Sequence, residues 1–122
     1  METSTPTSIQ PLGAKRLFSL EQAQSLVPVI RRVTRTAFEE IEKRLPQLTH
    51  AEGEKREALE AEVHAIFDSW QEKIQRLGGV TKGMWLVDFD SGEGYYCWRY
   101  PETEIAHFHG YKEGFSGRTK LH

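Results

Sequence analysis

Cys97, Arg99, His107, His109 and Arg118 fall within one stretch, YYCWRYPETEIAHFHGYKEGFSGR, and Asp88 stands just ahead of it in MWLVDF. A thiol beside an imidazole can be activated as a nucleophile. Cys97 with His109 as base and Arg99 stabilising a developing anion would therefore make an enzyme site. The same Cys97 and His109 could begin a site for a transition metal such as zinc, with His107 or a carboxylate as a further ligand. Arg99 and Arg118 are a third resource: two guanidiniums that could clamp a small anionic ligand, a carboxylate or a phosphate. Asp88 would then orient Arg99, and the glycines of EGFSGR would let backbone amides approach the anion.

Each reading has a plain structural counterpart. One face of an antiparallel sheet is commonly just solvated, Phe115 can plug a gap in the core, and Arg118 can lay its stem over an aromatic ring. No motif selects a reaction: there is no second cysteine and no His-Glu-x-x-His, and GGVTKG lacks the ending of a phosphate loop. His64, four residues from both Glu60 and Asp68, fits an ion-paired helix surface better than a ligand set.

The positions of these groups depend on strands. MWLVDF and YYCWRY alternate in type around the turn residues DSGEG, which predicts a β-hairpin. If Phe89 pairs with Gly94, then Trp85 faces Trp98 and Val87 faces Tyr96, and this aromatic face is the one to bury. Asp88, Tyr95, Cys97 and Arg99 share the other face. EIAHFH predicts a third strand after a turn at Pro101 to Thr103. A two-residue turn at Glu102-Thr103 pairs Tyr100 with Ile105 and sends His107 and His109 to the aromatic face; a turn one residue longer sets His109 opposite Cys97. The sequence leaves both registers open.

Two helices precede the strands. In LFSLEQAQSL, Ser19 and Gln22 have the spacing of a capping box, and Leu26, Ile30, Val33, Ala37, Ile41 and Leu45 follow as an apolar stripe. Pro28 predicts a kink near Gln24 and Ser25 or a later helix start. Pro46 and Gly53 predict a turn across LPQLTHAEGEK. A second helix carries Leu59, Val63, Ile66, Phe67, Trp70, Ile74 and Leu77 to a stop at Gly78-Gly79. The expected fold is α+β: a long antiparallel helical hairpin followed by a small three-stranded antiparallel meander.

At 122 residues the chain fits one domain, expected over residues 17–122 after a disordered tail at 1–16. Its hydrophobic fraction of 38% is modest, which invites burial against a second copy and predicts a homo-oligomer. Sixteen basic residues against 18 acidic ones leave a charge of -2, so nucleic acid is not an expected partner. Nothing resembles a membrane span or a signal peptide, and a single cysteine suits a reducing compartment, so a soluble cytoplasmic protein is expected.

FSLEQA from Phe18, VDF at Val87 to Phe89, CWR at Cys97 to Arg99 and GFSGR at Gly114 to Arg118 together resemble a bacterial domain-of-unknown-function family of short proteins. That family pairs Cys-Trp-Arg, Trp-His and C-terminal Gly-Phe-x-Gly-Arg motifs. The resemblance covers about residues 17–121; His109 matches the family histidine, while Phe108 and His107 depart from the usual tryptophan and tyrosine. It implies a shared fold and transfers no activity. The expectation is a small self-associating protein that binds an anionic or metal ligand on its C-terminal sheet. The alternatives are an enzyme using Cys97 with His109, and a regulatory module that docks through the helical hairpin.

Overall fold

The computed structural model describes residues 16–121; the tail expected at 1–16 lies, Arg16 apart, outside the described residues. Helix α1 spans Leu20–His50 and opens with the expected capping box: Ser19 Oγ accepts from the Gln22 amide at 3.0 Å, and Gln22 Oε1 accepts from the Ser19 amide at 2.9 Å. The helix starts here and not at Pro28, which it contains. It also runs through Pro46, correcting the expected turn. One missing amide costs one helical bond. Around it the side chains of Arg44, Gln47 and Thr49 donate to the carbonyls of Glu40, Lys43 and Leu45. The turn is confined to Ala51 and Glu52, and α2 spans Gly53–Arg76.

The helices pack face to face. Helix α1 buries Ala23, Val27, Ile30, Thr34, Ala37 and Ile41, while Leu45, expected in the stripe, is exposed. Helix α2 buries Leu59, Trp70 and Ile74, with Ile66, Phe67 and Leu77 packed against the core. Trp70 is held in register by its indole N–H, which donates to Thr34 Oγ1 at 2.8 Å inside the interface. Helix α2 stops as expected. Gly78, at φ +99, donates to Gln75 O and Gly79 to Ile74 O, a double bond pattern that satisfies the last carbonyls.

The sheet has five antiparallel strands in sequential order: β1 (Val80–Thr81), β2 (Leu86–Asp90), β3 (Tyr95–Arg99), β4 (His107–His109) and β5 (Thr119–Lys120). The central three are the expected meander, and a two-residue strand guards each edge. In the hairpin Phe89 pairs with Tyr96, Val87 with Trp98 and Asp88 with Cys97, not Phe89 with Gly94. The turn is of the expected length but sits one residue later, because Asp90 Oδ1 accepts from the Gly92 amide and the Ser91 amide donates to Gly94 O. A slip of two residues keeps every side chain on its expected face. Val87, Phe89 and Trp98 accordingly join Ile30, Trp70 and Ile74 in the core.

The β3–β4 register differs from both expectations, with Cys97 opposite His107 and Tyr95 opposite His109. Gln24 of α1 is the cause. Its side chain takes both the amide and the carbonyl of buried Ile105, each at 2.7 Å, so that residue cannot join a ladder. Glu102 folds the chain back by accepting from the Arg99 amide, while Trp98 Nε1 donates to the Glu102 carbonyl. Strand β4 therefore begins only at His107. Both histidines share the face of Cys97, and Phe108 turns to the aromatic side against Tyr96. No described helix is long and apolar enough to cross a membrane.

Candidate metal centre

Alternation along three adjacent strands brings Asp88 (β2), Cys97 (β3) and His109 (β4) together on the sheet face turned away from the helices. All three are buried, and one ligand atom from each lies within 4.8 Å of the others. Such closeness comes from backbone ladders rather than loops, so the donors are held by the ordered pairing of β2, β3 and β4. His109 Nε2 is 3.0 Å from Asp88 Oδ2, and its Nδ1 is 2.9 Å from the Gly110 carbonyl. A carbonyl only accepts, so Nδ1 carries a proton and donates it. Nε2, which faces the carboxylate, is then either the second N–H of an imidazolium or the lone pair of a neutral ring. Two acceptors cannot face one another at this distance without a cation or a shared proton between them.

The same burial acts on the protonation of the donors. Burial pushes the Asp88 carboxyl up from its ordinary value, against the pull of His109. Cys97 is pushed up from 9.0 to about 12, first by burial and then by the charge of Asp88, with Arg118 opposing both. Arg118 Nη1 lies 3.9 Å from Cys97 Sγ. The guanidinium is fixed by both oxygens of Glu102, at 2.9 and 3.4 Å, and stacks on Phe115 with 4.3 Å to the ring centre.

A cavity of about 230 Å³ opens beside the three donors. Lys82, Leu86, Tyr95, Tyr111 and Phe115 form much of its remaining wall. Lys82 Nζ sits 5.1 Å from the Tyr95 ring centre, and the Tyr95 and Tyr111 rings meet edge to face at 5.2 Å. Tyr111 Oη donates to Asp90 Oδ1 at 2.6 Å, and that bond raises the phenol to about 12.

The site residues expected from sequence thus separate. Asp88, Cys97 and His109 meet, with Arg118 beside the sulfur. Arg99 points elsewhere: it is exposed, with its guanidinium 5.6 Å from the Phe115 ring centre, while Asp88 engages His109 in place of Arg99. His107 lies on the same sheet face, yet its Nδ1 turns toward Glu102, 4.0 Å away, and makes no hydrogen bond. His64 is exposed on α2. Lys82, Glu102 and Tyr111 were not foreseen. For Asp90 a signal existed, because alternation in VDFD sets it on the same face as Asp88.

Fold and site define a small α+β protein with a buried Asp-Cys-His cluster at the floor of a sheet cavity. The chain belongs to DUF2203, described as an uncharacterized conserved protein family, whose model matches residues 16–121. No curated protein and no solved structure matches it.

Proposed function

We propose that this protein binds a divalent transition metal, with zinc the best fit, through Asp88 Oδ, Cys97 Sγ and His109 Nε2. The observation that carries the reading is the convergence of three chemically different donors within 4.8 Å on three hydrogen-bonded strands. An oxygen, nitrogen and sulfur set suits zinc, whose bonds of ~2.0–2.3 Å separate tetrahedral ligand atoms by roughly 3.5 Å. Small side-chain rotations would bring these atoms to that spacing. The His109 Nδ1–H donated to Gly110 O supplies the orienting hydrogen bond that metal-ligating imidazoles carry. A metal would also displace the thiol proton, because coordination deprotonates sulfur outright. Arg118, next to Cys97 Sγ, would balance the resulting thiolate.

Three protein ligands leave a fourth position facing the cavity, the arrangement of a metal open to exchange. The same environment argues against Cys97 as a free nucleophile: a thiol raised to about 12 stays protonated at neutral pH. Elemental analysis of purified protein after chelation and reloading with zinc tests the reading. About one ion per chain is expected, falling to background in Cys97→Ser and His109→Ala while Lys82→Gln retains it. Folded wild-type protein that retains no zinc would reject it.

A further inference from the structure

The cavity beside the three donors indicates what occupies the metal's remaining position. Its size comes first. A cavity of ~150 Å³ is enough to house benzene, so about 230 Å³ admits a six-membered ring with a short head group and little more. Its walls come second. Leu86, Tyr95, Tyr111 and Phe115 present apolar and aromatic surface, against which a flat ring packs edge-on or offset. Charge comes third. Lys82 is the cation in the wall, and its backbone is set by a tight turn, with the Lys82 amide donating to Leu86 O and the Leu86 amide to Gly83 O.

The acidic groups nearby have partners. Glu113, also in the wall, accepts from the Gly110 amide, and Asp90 accepts from Tyr111 and Gly92. Arg118 is committed to Glu102 and to the sulfur side of the site. Lys82 carries no such carboxylate bond among the described residues, and its ammonium over the Tyr95 ring stands at the cavity wall.

We propose that the exchangeable position takes the carboxylate of a small aromatic monoanion, with Lys82 meeting its charge and its ring lying among Tyr95, Tyr111 and Phe115. This inference rests on the metal reading above. Cobalt(II)-loaded protein separates the two, because thiolate ligation gives a near-ultraviolet charge-transfer band while the visible bands report the fourth ligand. Benzoate is the probe, compared with acetate and benzylamine.

Benzoate should shift the visible bands saturably, and acetate should bind about tenfold more weakly for want of a ring to bury. Benzylamine should have no effect. In Lys82→Gln, at an exposed position, the cobalt spectrum should be unchanged and benzoate affinity about tenfold lower, as expected for loss of one charge-assisted contact. A normal charge-transfer band with no response to benzoate overturns this inference alone. So does equal binding of acetate and benzoate, a response to benzylamine, or full affinity in Lys82→Gln. A missing charge-transfer band in wild-type protein overturns the metal reading, and the coordinated carboxylate with it.

Discussion

In the metal-free native protein, Cys97 should be a slow thiol, and the structure says by how much. Its pKa is pushed up from 9.0 to about 12 by burial and by Asp88. That shift cuts the thiolate fraction at neutral pH about a thousandfold relative to the unfolded chain. Nucleophilicity moves the other way: with a Brønsted slope of ~0.4–0.5, three units return about 15–30-fold. The net expectation is attack on an aromatic disulfide reagent about 30–60-fold slower in native protein than in denaturant, before any steric factor. With its residue only 1% exposed, Cys97 should be slower still. The assay is the absorbance of the released aromatic thiolate, followed with chelator present. The sign in pH is set too: the unfolded rate levels off above 9.0, while the native rate keeps climbing toward about 12. A native rate at neutral pH within about fivefold of the unfolded rate would refute the reasoning, since it would demand a thiol already activated.

Replacing Thr34 by Val removes the acceptor of the buried Trp70 indole and should cost about 1–3 kcal/mol in urea denaturation; a double variant that also carries Trp70→Phe should show marked non-additivity. Gly94→Ala should destabilise the β3–β4 pairing by about 1–3 kcal/mol, because its Cβ would lie 2.8 Å from the His109 carbonyl and closer still to the Phe108 ring. Thermal unfolding with and without zinc would show whether the metal site suffers as well. Stability of the metal-free protein should fall as pH rises from 9.0 toward about 12, because the unfolded thiol ionises first while the native one holds its proton. Cys97→Ala should remove the part of the fall that begins at 9.0 and leave the part that Tyr111, raised from 10.0 to about 12, contributes above 10.0; an unchanged slope would assign it to other groups.

How much of the site was legible from sequence depended on parity. Side chains alternate along a strand, so Asp88 and Cys97 shared a face in the expected hairpin and do so in the structure, even though their pairing slipped by two residues. An error of two leaves faces intact, and an error of one reverses them. The third strand carried that second risk, since one of its two open registers would have buried both histidines among the aromatics. What resolves it is Gln24, 81 residues away in sequence, which removes Ile105 from the sheet by binding both its backbone groups. Arg99 was grouped with the site for sharing a face with Cys97, but it lies at the end of β3, exposed beside Phe115. A helix break at Pro46 was expected from a local rule, which the bonds around the proline outweigh.

The sequence by itself determined the order of the two helices and the three central strands, the capping box at the head of α1, the glycine stop of α2 and which sheet face is aromatic. All of these follow from interactions within a few residues or from simple periodicity. Only the tertiary structure decided that Asp88, Cys97 and His109 meet over a cavity whose wall includes Lys82. Their convergence needs three strands in one register, and that register is set by a glutamine from the first helix and by turns whose placement no local pattern encodes.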